Sequence, residues 1–288
     1  MDNFLNISDL SSQNLRDILN LENNNSNFLK NKSIGMIFEK YSTRTRLSFN
    51  VGISQLGGNS VDIKFEELNI SRDESFEDTF KAMSCYLDGL VYRTSNHNKL
   101  IKASKYFNKP IINALSDLSH PCQALSDLYT LKEIFNSLDV SVLWMGDMNN
   151  VCFSLVEVAN LIEEFKLTIC SPKEISENLK WTTNNNINIV NKISDIDLSS
   201  IQCVMTDVFI SMNDHDNEFK VNLLKNYIVN DDLISKTNKN SIFMHCLPAK
   251  VGFEVTKSVF NSSKSIVWRQ AYNRMIAQKK LLQFINWD

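Results

Sequence analysis

The chain has 288 residues, a formal net charge of −3 and 43% hydrophobic residues. That length exceeds what a single hydrophobic core ordinarily serves, so two domains are expected. The slight acidity and the lack of a basic stripe exclude a chain that coats nucleic acid, and no apolar run approaches the ~20 residues that span a bilayer.

Taken in order, residues 7–21 read as a helix with Leu10, Leu15, Ile18 and Leu19 on one side. Ile34–Phe38 reads as a buried strand, and a helix follows from a Ser42 N-cap to the Gly57-Gly58 stop. Residues 59–64 form a second strand, 66–73 a polar loop and 75–86 a helix. Residues 88–92 form a strand, 98–107 a helix, 111–113 a strand, and 121–135 a long helix opened by Pro121. The alternation then restarts: strand 140–145, helix 150–165, strand 167–170, an asparagine-rich surface loop at 181–191 and strand 201–205. A short helix at 231–235, strands at 242–244 and 265–268, and a terminal helix at 270–287 complete the chain. Alternating strands and helices imply two parallel, doubly wound α/β domains, each with helices on both faces of its sheet, covering residues 1–135 and 136–288.

Ligands of open α/β sheets bind beyond the carboxyl ends of the strands. The first such end carries Ser42-Thr43-Arg44-Thr45-Arg46, three hydroxyls and two guanidiniums at a helix N-terminus. Free backbone N–H groups and the helix dipole favour an anion there, and arginine matches phosphate two oxygens at a time. Other strand ends deliver Arg93, then His120 and Gln123; the second half delivers Asp147, Asn149 and Asn150, then Asp207, Ser211 and Met212, then His245, Cys246 and Leu247. The first half suits an anion, the second an amine. Singly, each has a plainer reading: Arg93 in a surface ion pair, His120 in the core, Cys246 as a buried thiol, Asp207 in a turn. The histidine–cysteine spacings fit no structural zinc site, and Gly146 stands without the further glycines of a dinucleotide turn. The six cysteines form no CxxC pair, and Met1–Ile7 has no basic presequence, so a cytoplasmic protein is expected.

Several separated motifs resemble those of the aspartate/ornithine carbamoyltransferases: Ser42–Arg46, His120-Pro121-Cys122-Gln123, Asp207–Met212, His245-Cys246-Leu247-Pro248 and Asn273-Arg274. The third and fourth resemble the ornithine branch. The resemblance runs in order along nearly the whole chain. It implies transfer of a carbamoyl group from carbamoyl phosphate to L-ornithine, giving L-citrulline and phosphate, in arginine synthesis. It implies that Ser42, Thr43, Arg44 and Thr45 hold phosphate. Arg93, His120 and Gln123 would hold the carbamoyl group, with Cys246, Leu247 and Arg274 closing over it. Asn150, Asp207, Ser211 and Met212 would hold ornithine. Arg93, His120, Asp207 and Cys246 would carry the chemistry. It further implies a homotrimer in which a neighbour's loop reaches the phosphate, with Asn69 where glutamine is usual. The terminal helix would return to the first domain. No metal or organic cofactor is implied. Phe209, Asn213, Lys250 and Tyr272 depart from the family's usual residues. Relatives acting on putrescine or acylated ornithines, and silent binders, are the alternatives; Thr43 and Ser211-Met212 favour ornithine.

Overall fold

A computed structural model describes residues 1–22, 25–177, 181–210 and 217–287. The chain divides into two compact units, Met1–Tyr129 with Asn273–Asp288, and Thr130–Tyr272.

The first unit runs β1 (Asn3–Phe4), α1 (Ser12–Asn20), β2 (Ser33–Phe38), α2 (Thr43–Gln55), β3 (Asn59–Ile63), α3 (Phe76–Ser84), β4 (Gly89–Arg93), α4 (His97–Tyr106), β5 (Ile111–Leu115) and the first part of α5 (Pro121–Phe135). Its sheet is parallel throughout, in the order β1-β5-β4-β2-β3. β1 escapes a sequence reading because two residues show no periodicity; pairing with β5 alone defines it. The expected loop at 66–73 contains 3-10 turns, because Phe65, Leu68 and Ile70 pack on the core around Phe80, Leu90 and Tyr92.

The second unit continues with β6 (Ser141–Met145), α6 (Asn150–Leu161), β7 (Lys166–Cys170), α7 (Lys173–Ser176), β8 (Ile187–Val190), β9 (Cys203–Thr206), α8 (Asn217–Leu224), α9 (Asp231–Lys236), β10 (Ile242–His245), α10 (Lys257–Phe260) and α11 (Val267–Phe284). Its sheet is also parallel, in the order β10-β9-β6-β7-β8. Its core gathers Leu143, Met145, Val204, Val229, Phe243 and Val255. The last residues of α11 and those after it belong to the first unit, where the Trp287 ring lies against Gly89 so closely that a Cβ on that glycine would collide with it.

The asparagine-rich stretch is not all loop: β8 pairs with β7, and Asn184 and Asn186 donate side-chain hydrogen bonds to Ala159 O at 3.0 and 3.3 Å, satisfying one carbonyl in the last turn of α6. Residues 265–268 are not a strand. Ser265 makes one isolated bridge to Phe243, and α11 begins at Val267, whose burial beside exposed Trp268 follows helical packing.

Candidate active site

In an open α/β sheet the crevice forms where successive connections leave a strand in opposite directions. In the first sheet that point lies between β2 and β4, and in the second between β6 and β9. Residues 42–46 follow β2 and Arg93 ends β4 at the first, and residues 146–150 and Asp207 follow β6 and β9 at the second; His120 follows β5 and Cys246 follows β10.

At the first, Phe38 pairs with Arg93, and Glu39 N donates to Arg93 O at 3.0 Å. Ser42 occupies the N-cap of α2 with extended backbone, but its hydroxyl does not cap the helix. It accepts instead from Arg93 Nη1 at 3.2 Å. Arg274, on α11, donates from Nη1 to Thr45 Oγ1 at 3.4 Å. Arg44 is half-buried, and the Nε atoms of Arg44 and Arg93 have no hydrogen-bond partner among the described residues. Glu39, the nearest acid in sequence, is engaged elsewhere: it accepts from Tyr92 at 2.6 Å, Thr94 at 2.8 Å and Lys99 at 3.0 Å. Burial, then the neighbouring Arg274 and Arg44, push the Arg93 guanidinium down to about 10. A group of crowded, desolvated cations is unfavourable unless an anion joins it.

Arg46 does not join this group. It donates to Asp62 on β3 at 2.9 Å, because residues two apart on a helix point to different sides. Thr43 is exposed at the start of α2. Asn69 is exposed on its 3-10 turn, and among the described residues no hydrogen bond joins it to the arginines.

His120 precedes α5, and its carbonyl accepts from Gln123 N at 3.0 Å. The side chain is 4% exposed, and burial, then Arg274 and Arg93, hold it well below the ordinary histidine range. It is therefore a neutral imidazole. Gln123 is fully buried, with Nε2 donating to Asp127. Cys122 packs inward with Sγ on Asn113 O at 3.3 Å, and burial pushes its thiol up, so it is an inert core residue.

His120 carries a pH consequence. Below the ordinary histidine value of 6.5 the unfolded chain takes up a proton that folded His120 refuses. Its contribution is complete above that value and is lost as pH falls, at about 1.4 kcal/mol per pH unit for one such group. Denaturant titrations between neutral and mildly acidic pH are expected to show a shallower slope for His120→Gln than for the parent protein.

At the second crevice, Gly146 follows β6 with a φ of 107°, and a Cβ there would lie 2.7 Å from the Phe209 ring. Glycine is required on both counts. Asn149 caps α6, accepting from Val151 N at 3.0 Å and Cys152 N at 3.1 Å, and its Nδ2 donates to Asp207 Oδ2 at 2.8 Å. Asn150 opens α6 half-buried. Asp147 pairs with Lys220 at 2.7 Å. Ser211 and Met212 lie outside the described residues.

Cys246 and Leu247 follow β10 and belong to the second unit, beside Asp207, while the other expected carbamoyl-phosphate residues belong to the first. Asp207, His245 and Cys246 place a ligand atom each within 4.8 Å of one another, a spacing a metal could use. His245 is otherwise committed, however. Its Nδ1 accepts from Leu247 N at 2.9 Å, which leaves Nε2–H for buried Glu254 at 3.1 Å. A metal would have to break one of these bonds. They instead fix the turn after β10, where Leu247 holds a φ of 58°. A non-glycine residue in the left-handed region is strained, and such strain persists only where surroundings impose it.

The sequence placed Asn149 and His245 at strand ends without giving either a role, and it passed over Glu254 and Glu39 as supporting residues. The cap rule alone singles out Asn149 over Asn150; the others need the tertiary contacts.

A family model described as aspartate/ornithine carbamoyltransferase, carbamoyl-P binding domain, matches residues 2–133, and one described as the Asp/Orn binding domain matches residues 138–285. The chain belongs to the aspartate/ornithine carbamoyltransferase family. Among similar proteins, the ornithine carbamoyltransferase of Methanosphaera stadtmanae is 40% identical over 270 residues, covering 89% of this chain and 88% of its own. That of Hydrogenovibrio crunogenus is 39% identical over 260 residues, covering 89% and 86%. The crystal structure of the Thermus thermophilus ornithine carbamoyltransferase superposes with a TM-score of 0.87 at 30% identity, covering 99% of both chains. Like its family, the chain is a carbamoyltransferase. Among the described residues no helix is long and apolar enough to cross a membrane.

Proposed function

We propose that this carbamoyltransferase converts carbamoyl phosphate and L-ornithine to L-citrulline and phosphate, as a cytoplasmic homotrimer in arginine biosynthesis. The observation that carries the reading is the convergence of Arg44, Arg93 and Arg274 around the start of α2, with guanidinium nitrogens left open at Arg44 and Arg93. Carbamoyl phosphate supplies the missing anion. Its phosphate sits at Ser42, Thr43, Arg44 and Thr45, and its carbamoyl group at Arg93, neutral His120 and Gln123.

The δ-ammonium of ornithine gives up one proton, the neutral amine attacks the carbamoyl carbon, the bond to the phosphate oxygen breaks, and a second proton passes from the nitrogen of the new C–N bond to the departing phosphate. Free alkylamines are protonated near neutral pH, so an acceptor is needed. Asp207, held by Asn149, orients the ammonium and draws off the first proton, with Cys246 beside it. Asn150, Ser211 and Met212 hold the rest of the amino acid. Negative charge developing on the carbonyl oxygen faces Arg93, His120 and Thr45, which act as an oxyanion hole. Arg44 and the α2 N-terminus stabilise departing phosphate. The names of the similar proteins support ornithine as acceptor.

Trimer formation is supported by an uncovered apolar face: Tyr41 is 100% exposed, and Leu47 and Val51, one turn apart on α2, are 58% and 40% exposed. Asn69 reaches a neighbour's phosphate in this arrangement. Unbridged cysteines accord with a reducing compartment. The deciding experiment is citrulline formation measured against product from putrescine and N-acetylornithine, with released phosphate as a second readout. Preference for ornithine supports the reading; preference for another amine overturns the acceptor; no release with any amine overturns the activity. Sedimentation of the same preparation gives the subunit number.

A further inference from the structure

Gln123 and Asp127 lie one turn apart on α5, both fully buried. Gln123 Nε2 donates to Asp127 Oδ1 at 2.8 Å, and Gln123 Oε1 has no partner among the described residues. A side-chain amide can turn over, exchanging a donor nitrogen for an acceptor oxygen at almost no steric cost. A carboxylate only accepts, so it holds the nitrogen end and leaves the oxygen end open. A buried carbonyl without a donor is costly, and calls for a ligand that brings one. Gln123 N donates to the carbonyl of His120, the residue just before α5, and the His120 side chain feels the charges of Arg274 and Arg93.

We propose that Asp127 is a positioning residue that locks Gln123 with its carbonyl oxygen open to the anion site, so that the site selects a phosphorylated ligand carrying NH2 over one carrying CH3 in the same place. The inference rests on carbamoyl phosphate occupying this site. Carbamoyl and acetyl phosphates differ only by amino for methyl, groups of nearly equal size, so shape cannot separate them. An oriented acceptor can, because the methyl compound leaves Oε1 unpaired. Turned the other way, Gln123 would offer a donor to ligand nitrogen and lose the distinction.

The test uses stable probes: phosphonoacetamide, its methyl ketone counterpart 2-oxopropylphosphonate, and inorganic phosphate, titrated calorimetrically into the full-length parent protein and Asp127→Asn. An asparagine can accept from Nε2 or donate to Oε1, so it releases the lock. The parent is expected to bind the amide at least ~10-fold tighter than the ketone. In Asp127→Asn that ratio falls to within about 3-fold, while phosphate affinity stays within about 2-fold, since phosphate has no group for Gln123. A variant that keeps both phosphate affinity and the full amide preference overturns the role of Asp127. So does a parent protein that binds phosphate and both probes without preference. A parent that binds none of the three overturns the reading of the site itself. Should the variant fail to fold, a crystal structure of the parent with phosphonoacetamide decides. An amide nitrogen within about 3.2 Å of Gln123 Oε1 supports the lock, and one donating to a different acceptor overturns it.

Discussion

Arg44→Ala is expected to lower citrulline formation by about 10³-fold or more while leaving the melting temperature unchanged or slightly raised. Loss of one preorganised donor to a developing charge typically costs about 10²–10³-fold, and Arg44 adds a full charge to its hydrogen bonds. The stability expectation follows from what Arg44 does in the folded chain. Its Nε has no partner among the described residues, and it is one of the charges that crowd Arg93. Removing it relieves repulsion and deletes little packing. Initial rates against carbamoyl phosphate, with thermal melts alongside, separate the two effects. Near-normal carbamoyl phosphate kinetics in a folded Arg44→Ala protein would sink the assignment of the α2 start as the phosphate site.

Asp207→Asn is expected to cut kcat by about 10²–10⁴-fold, the range for a lost general base, with the KM for carbamoyl phosphate within about 3-fold of the parent. Asparagine keeps the size of the side chain and can still accept from Asn149, so the α6 cap survives. What disappears is the charge proposed to orient and deprotonate the amine. The asymmetry is the informative part: Arg44 belongs to the unit that holds phosphate and Asp207 to the other. A rise in carbamoyl phosphate KM as large as the fall in kcat would move Asp207 from the amine to the phosphate side of the reaction. Raising the pH would then restore nothing, whereas a missing base is partly compensated as more amine becomes neutral.

The departures from the family's usual residues acquire local explanations in part. Phe209 is 3% exposed with its ring against Gly146, so a smaller aromatic than tryptophan fills that place. Tyr272 is exposed and lies under the Arg269 guanidinium at 5.6 Å. Lys250 N donates to Glu254, a backbone contact indifferent to its side chain. None of these three is itself a residue assigned to the amine, and Asn213 lies outside the described residues.

The sequence by itself determined the alternation of strands and helices, and with it the two parallel sheets, because apolar runs bounded by caps and turns are local signals. It also determined the anion-seeking start of α2, since hydroxyls and guanidiniums at a helix N-terminus act through groups within one turn. Local chemistry could not separate Arg44 from Arg46. The family resemblance named Arg44, Arg93 and Arg274, but only the tertiary structure supplied the contacts that divide them. Arg46, adjacent in sequence, turns away to Asp62, while Arg274 comes from the far end of the chain to Thr45. Only the tertiary structure made Ile187–Val190 a strand, because its partner β7 supplies the hydrogen bonds that composition concealed. The bonds that aim the side chains, Asn149 on Asp207 and His245 on Glu254, are likewise set by sheet order and register. Sequence fixes what a residue can do within one turn of itself; its distant partner is chosen by how the strands are laid side by side.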